Sequence, residues 1–567
     1  MAALMGAAVI KPRRKRARQA RERNMRKVCK RALAVMTAAV LFALPQIAMS
    51  QSRFPDGSMV KKTCGACHKP EEKGGLEAIE DTRKTPEEWK VVMIRMERLN
   101  QAQVPDEAFH PIVKELSKDL CLTPAEMSKV AYLNSDENSQ YREVPKGKLE
   151  ERMFAACVRC HTFGKIASHR MTESRWAATR DLHLGYYPTT VPQMREMNWL
   201  KESQDLIKPL TEMFPFETPQ WRQWLKERKD VKLDGQWVVA GYQPGVGYYT
   251  GNYTFTANPK KGADEYSITR EVVFANGAKV RQEGEGTLYS KYHLRYALAP
   301  TQMLGRVEGV FDMDASQKGF SGKWWTVVQD NNAYGNERFY PAKGSPAVVA
   351  VYPQALKAGA KNQNVNLVLA GLGQGIKPAD IAFSDAQVKV TKLSQGAAGQ
   401  LICQISVSGK QRQVGLKVKG VAYDAKLVVY DKVDGIKIFP ALGRARVSSG
   451  AAYPPMGVQY VARALAFGAD GKAGTADDLI LEPVEAKWTL SEEVTREGDE
   501  DLKYLKAPIH GGLYTPVTTY GPIAQRPQKR EGVGLIAVNA SAKINGKQFK
   551  DKALLVVTVP DFITHIK

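Results

Sequence analysis

Cys64-Gly65-Ala66-Cys67-His68 and Cys157-Val158-Arg159-Cys160-His161 are two copies of one pattern, and their reading decides the fold of the N-terminal region. Cys-x-x-Cys-His is the attachment signature of c-type haem. Two thiols one helical turn apart reach the two vinyl groups on one edge of the porphyrin, and the adjacent His is carried under the iron as proximal ligand. A thioredoxin-like pair or a zinc site would use a similar cysteine spacing. Here each pair is followed at once by His, and neither lies in a βαβ setting. The pattern therefore predicts two covalently bound haem c groups on Cys64, Cys67, Cys157 and Cys160, with His68 and His161 as proximal ligands.

Downstream of each motif the sequence repeats. Arg83-Lys84-Thr85-Pro86-Glu87-Glu88-Trp89 and Arg170-Met171-Thr172-Glu173-Ser174-Arg175-Trp176 both read Arg-x-Thr-x-x-x-Trp. Each looks like a helix start, with Thr85 or Thr172 as N-cap, acids in the first turn and Pro86 at the first helical position. The two halves thus read as duplicated cytochrome folds. Trp89, Val92, Met93 and Met96 share one helical face; Trp176, Thr179, Arg180 and His183 share the equivalent one. Met96 and His183 both fall seven residues after the Trp, and Met and His are the common distal ligands of c-type haem. The expected metal ligands are His68 and Met96 for the first haem and His161 and His183 for the second. Met93 and Met59 remain alternatives to Met96, and His169 to His183, whereas His110 reads as structural. Two six-coordinate irons imply electron transfer, because oxygen or peroxide chemistry needs an open position. A thioether ligand raises the potential relative to two imidazoles. Electrons are therefore expected to run from the second haem to the first.

The chain has 567 residues, 43% hydrophobic and 25% charged, so it is neither largely disordered nor a multi-span membrane protein. At about 150 residues per domain it holds roughly four. Its seven cysteines exclude a disulfide-dense scaffold. Of the net charge of +23, residues 1–50 alone carry +11, from twelve Lys/Arg against Glu22, which leaves +12 on the rest. Beyond residue 50 the charges are mixed, with no basic stripe and no recognition motif, so nucleic acid is not an expected partner. Arg26, Lys27, Lys30 and Arg31 precede an apolar run from Ala32 to Leu44, then Pro45 and Ala48-Met49-Ser50. This is the anatomy of a secretory signal cleaved after Ser50, with Cys29 leaving in it. The run is short for a membrane span, so the expectation is a periplasmic protein with no stable span after cleavage; an uncleaved anchor is the alternative. The residues before Met25 read as an early start or a long basic n-region.

After about residue 230 the period changes from 3.6 to 2. Trp237-Val238-Val239, Tyr253-Thr254-Phe255-Thr256, Tyr266-Ser267-Ile268-Thr269 and Lys323-Trp324-Trp325-Thr326-Val327-Val328 read as strands, punctuated by Asp234-Gly235 and Asn276-Gly277. They predict an antiparallel barrel, with a self-filled interior favoured over a ligand pocket. From Pro346 about seven short strands match an immunoglobulin-like sandwich, and the theme continues from about 433 to Ala553–Val559. The expected fold is multidomain, α followed by all-β, behind a leader at 1–50. It comprises helical cytochrome c domains at 51–145 and 146–230, a streptavidin-like β-barrel at 231–343, and immunoglobulin-like β-sandwiches at 344–432 and 433–567. Cys121 and Cys403 fall in different domains and are expected as two buried thiols. The acids of Asp470–Asp478 could hold Ca²⁺, but their spacing is not that of an EF-hand, and a solvated hairpin loop is favoured. No Gly-rich phosphate loop, Gly-x-Ser-x-Gly or His-Glu-x-x-His occurs, so no catalytic residue is assigned.

This order of parts, with the Met/His pair seven residues after each Trp, resembles the α subunit of quinohemoprotein amine dehydrogenase. The resemblance runs over essentially the whole chain after residue 50. It implies a periplasmic heterotrimer that oxidises primary amines. It also implies a cysteine tryptophylquinone on a small γ subunit and a β-propeller β subunit. This chain would then pass electrons from the quinone through two haems to a soluble cytochrome c or a blue-copper protein. The β domains would serve as scaffold and subunit interface. A stand-alone diheme carrier with β binding domains, or a diheme peroxidase with one five-coordinate iron, is the alternative.

Overall fold

The computed structural model describes residues 52–71, 75–130, 144–158, 161–194, 196–314, 316–327, 333–396, 399–447, 455–495, 497–505, 507–517 and 532–558. The leader, Cys160 and the strand ends Val328 and Val559 lie outside the described residues.

The helical region is built on a short antiparallel ribbon, β1 (Thr82–Lys84) with β2 (His169–Met171). Helix α1 (Met59–Cys64) precedes it. After β1 come α2 (Pro86–Asn100) and α3 (Asp106–Asp119). Helix α4 (Gly147–Cys157) leads into β2, which is followed by α5 (Glu173–Tyr186). The region closes with α6 (Trp199–Asp205), α7 (Ile207–Met213) and α8 (Pro219–Glu227). The ribbon pairs Thr82 with Met171, Arg83 with Arg170 and Lys84 with His169. In the sequence repeat Arg83 is equivalent to Arg170, so the register is symmetric about that pair, and the two halves meet across a local pseudo-twofold.

Both long helices leave the ribbon in the same way. Thr85 Oγ1 accepts the Glu88 amide and Thr172 Oγ1 accepts the Arg175 amide, each at 3.3 Å. These caps satisfy first-turn N–H groups that have no partner inside the helix. Trp89 and Trp176 then turn into the core of their own half. No described helix is long and apolar enough to cross a membrane.

Eight strands follow as a closed antiparallel barrel: β3 (Gly235–Gln243), β4 (Gly247–Ala257), β5 (Glu265–Phe274), β6 (Lys279–Tyr289), β7 (His293–Leu298), β8 (Val307–Met313), β9 (Phe320–Thr326) and β10 (Tyr334–Pro341). Neighbours in sequence pair throughout, and β10 returns to β3. Alternate residues point inward, so the aromatic positions of the period-2 pattern converge on one core. The Asn276-Gly277 turn joins β5 to β6, and Gly277 there has φ +87°, a conformation glycine adopts without steric cost.

The interior is filled by side chains around a buried acid. Glu337 accepts Arg270 Nη2 at 2.6 Å, Tyr249 Oη at 2.7 Å and Tyr253 Oη at 2.5 Å. Gln282 Oε1 takes a further Arg270 N–H at 3.2 Å, and Trp324 Nε1 donates to Tyr249 Oη at 2.8 Å. The salt bridge has almost no solvent exposure, 1% and 0% at its two ends.

Beyond the barrel, the sheets containing Ala347–Tyr352, Ala355–Lys357 and Ile381–Phe383 share one apolar core. Those containing Gly435–Phe439 and Leu442–Arg446 share another, with the long hairpin Gly534–Ile544/Lys547–Thr558. Cys121 and Cys403 are free, buried thiols, and burial pushes the Cys403 thiol up to about 12. The 470–478 segment connects two paired strands, and its acids turn back onto their own backbone. Asp477 accepts the Ala469 amide at 2.7 Å, Asp470 the Lys472 amide at 2.9 Å and Asp478 the Gly474 amide at 2.6 Å. That is a self-capped hairpin loop.

Replacing Glu337 by Gln removes the charge opposite a fully buried Arg270. The expected cost is about 3–5 kcal/mol of barrel stability. Denaturant unfolding followed by the barrel tryptophans measures it, and an unchanged midpoint would refute this account of the interior.

Candidate functional site

The first motif begins at the C-terminal end of α1 and continues through a turn. Cys64 is the last helical residue, and the Cys67 and His68 amides both return to the Cys64 carbonyl, at 3.1 and 2.9 Å. His68 Nδ1 sits 2.9 Å from the Glu77 carbonyl, which makes Nδ1 the donor and puts the ring lone pair on Nε2. Met96 stands on α2 with its sulfur 3.8 Å from Asn100 Nδ2. His68 and Met96 share no hydrogen bond. Met93 is a core residue at 3% exposure, while Met59 is exposed.

The second motif is displayed differently, with Cys157 at the end of α4. Here the structure brings the two sequence-predicted histidines together: the His161 and His183 ring centres are 6.5 Å apart. Two imidazoles on opposite sides of one metal ion, with metal–nitrogen bonds of about 2.0 Å, have ring centres about 6.3 Å apart. Both rings are oriented by backbone carbonyls through Nδ1, His161 by Thr162 at 2.9 Å and His183 by Thr179 at 2.8 Å. Burial pushes the His183 imidazole down, which keeps it neutral. Trp199 packs 6.2 Å from His183, and its indole N–H bonds the Ala156 carbonyl beside Cys157, holding α6 against α4. His169 is engaged elsewhere: Nδ1 lies 2.6 Å from the Lys165 carbonyl and Nε2 lies 3.5 Å from Glu88. His110 bonds Glu265 on β5 at 2.9 Å.

Burial pushes the Cys64 thiol up to about 11 and the Cys157 thiol up to about 12.

Between the halves lies a buried charge cluster that the sequence reading missed. Glu126 accepts Arg83 Nη1 at 2.9 Å and Nη2 at 3.3 Å, Arg170 Nε at 3.0 Å and the Thr123 amide at 2.8 Å. Burial alone would raise its carboxyl, but Arg83 first and then Arg170 outweigh it and hold the group down at about 2. The usable sequence feature was Thr123-Pro124-Ala125-Glu126, a capping box that places Glu126 at a helix start. Nearby, burial pushes Lys84 down to about 7, and Arg95 Nε and Trp176 Nε1 are buried without a hydrogen-bond partner. Such orphaned donors fit a group that brings its own carboxylates, as a haem does with its propionates.

Comparison with known families gives three matches along the chain. Residues 56–221 match the family described as quinohemoprotein amine dehydrogenase A, alpha subunit, haem binding. Residues 230–337 match alpha subunit domain II and residues 436–565 match alpha subunit domain IV of the same enzyme. The chain belongs to the quinohemoprotein amine dehydrogenase alpha-subunit family. A quinohemoprotein amine dehydrogenase alpha subunit binds haem and works as one chain of a multisubunit oxidoreductase. No match was found among curated proteins. Among solved structures the chain is similar to a redesigned beta barrel, mFAP1, at 14% identity over 19% of this chain and 94% of that one, TM-score 0.17. It is also similar to mouse clustered PcdhgC3 EC1-3, at 12% identity over 44% and 75%, TM-score 0.14.

Because the Glu126 carboxyl lies below its ordinary 4.5 in the fold, it stabilises the fold above that pH. The stabilisation, about 3 kcal/mol, is lost as pH falls from about 4.5 towards about 2. Glu126→Gln is expected to remove this acid dependence and to destabilise the helical region at neutral pH. Helical circular dichroism against pH, compared between the two proteins, checks it.

Proposed function

We propose that this alpha subunit is a periplasmic diheme electron-transfer chain. The haems are attached through Cys64 and Cys67 and through Cys157 and Cys160. His68 and Met96 would hold the iron of the first, and His161 and His183 that of the second. The observation that carries the reading is the His161–His183 pair, 6.5 Å between ring centres at the position the repeat predicts. The haems supply one-electron chemistry between a two-electron amine oxidation and a one-electron acceptor. The chain's own residues hold that function in place. The carbonyls of Glu77, Thr162 and Thr179 fix the imidazole orientations, Trp199 shields His183, and the buried donors Arg95 Nε and Trp176 Nε1 would be available to the carboxylates of a bound haem.

In this proposal the quinone is cysteine tryptophylquinone on a small γ subunit, a β-propeller β subunit completes the enzyme, and the acceptor is a soluble cytochrome c or a blue-copper protein. With haems held there, His161 and His183 would give the lower-potential site and His68 and Met96 the higher, so electrons would run from the second to the first. The leader at 1–50 is a secretory signal. The two β units after the barrel are immunoglobulin-like sandwiches, at 344–432 and 433–567, that serve as scaffold and subunit interface.

Purification of the native protein from periplasm is expected to bring two partner chains with it, and primary amines are expected to reduce its haems. A chain that purifies alone and is not reduced by amines would refute the assignment. Met96→Ala is expected to abolish the methionine–iron absorption band with haem content intact, and His183→Ala to leave one haem high-spin. Unchanged spectra in both variants would show that the ligand pairing is wrong.

A further inference from the structure

Helices α2 and α5 start side by side on the ribbon, and their far ends are joined again by side chains. Tyr186 Oη donates to Asn100 Oδ1 at 2.9 Å. This fixes the amide so that Nδ2 faces back along α2, 3.8 Å from the Met96 sulfur and 3.5 Å from the Arg95 carbonyl. Asn100 is one turn after Met96, and Tyr186 is one turn after His183. Met96, Asn100 and Tyr186 therefore form a bridge between the two helices that carry the proposed sixth ligands.

We infer that Asn100, oriented by Tyr186, is a positioning residue that sets the potential of the first haem. The inference rests on Met96 being that haem's sixth ligand. A thioether sulfur has two lone pairs. An N–H aimed at one of them leaves the other for the iron, which selects a single geometry at sulfur. The same N–H draws electron density from the sulfur, weakens its donation to the ferric more than to the ferrous iron, and raises the potential. Tyr186 acts one step further out. Without its hydroxyl the Asn100 amide loses the donor that holds its oxygen side, and only the longer contact to the Arg95 carbonyl, at 3.5 Å, still orients its nitrogen side. The first haem's potential is thereby tied, through Tyr186, to the helix that carries His183.

The test uses the full chain carrying its haems, in redox titrations resolved by the methionine–iron band and by the resonance of the ligand methyl group. Asn100→Leu keeps the volume and removes the donor. It is expected to lower the first haem's midpoint and shift the methyl resonance, while haem content and the second haem's midpoint stay unchanged. Asn100→Asp, which presents only acceptors, is expected to lower the midpoint too. Tyr186→Phe is expected to shift it in the same direction by less. Met96→Ala serves as reference. If it leaves the first haem's spectrum unchanged, the ligand assignment fails and this inference with it. If it changes the spectrum while Asn100→Leu moves neither midpoint nor methyl resonance, the bridge alone is refuted.

Discussion

Two guanidinium groups meet at the symmetric point of the β1–β2 ribbon, and one carboxylate, Glu126, holds them there. Arg83 has no solvent exposure, so its charge cannot be left to water. It lies over the Trp221 ring at 4.6 Å and donates to the Phe216 carbonyl at 2.7 Å, while Arg170 donates to the Ala167 and His169 carbonyls. The shared Glu126 carboxylate ties one arginine of each strand together and so constrains the register of the ribbon. The register in turn fixes where Thr85 and Thr172 stand, hence where α2 and α5 begin, hence the phase of Met96 and His183. Each helical residue turns the face by about 100°, so an error of one residue at the cap would turn either side chain well away from its present direction.

The barrel extends the same constraint. Arg295 of β7 bonds Glu87, in the first turn of α2, at 2.5 Å, and reaches Asp312 at 3.5 Å; Asp312 also accepts His293 Nδ1 at 2.8 Å. Lys114 and His110 of α3 both bond Glu265 of β5. The first half is therefore clamped at the start of α2 and along α3 to a closed, self-filled barrel. A barrel has no free edge and a buried ion pair at its centre, so it deforms little. For a protein that passes electrons, this rigidity fits the proposed role, because transfer depends on distances that must not drift.

What was legible in the sequence was what is local. The Cys-x-x-Cys-His motifs, the Thr caps, the Trp-plus-seven spacing and the period-2 strands are each set by residues within one or two turns of each other. The helical region followed by the barrel follows from those features. The residues that lock the parts together are far apart in sequence: Arg83 and Glu126 by 43 positions, Arg270 and Glu337 by 67, Glu87 and Arg295 by 208. No periodicity marks an Arg that will be buried, since the same residue on a solvated face looks identical. The exceptions carried a local trace. Arg83 and Arg170 opened the repeated heptapeptide, and Glu126 closed a capping box, yet nothing in the sequence said that the three would meet.

The duplication also explains how one scaffold can hold two unlike sites. Ribbon, caps and Trp positions are shared, so Met96 and His183 stand at equivalent steps of their helices. What differs is chemistry added around it. Trp89 satisfies its indole N–H on the Leu120 carbonyl at 2.9 Å, whereas the equivalent Trp176 N–H finds no protein acceptor. The Met96 sulfur faces an amide donor, whereas His183 is held by a backbone carbonyl within a shell of Tyr187 and Trp199. Under the proposed ligation these differences push in one direction. A polarised thioether favours the reduced first haem, and a carbonyl that makes the imidazole more basic favours the oxidised second haem. Under the proposed ligation, a symmetric anchor with asymmetric surroundings would yield a potential gradient without requiring two separate folds.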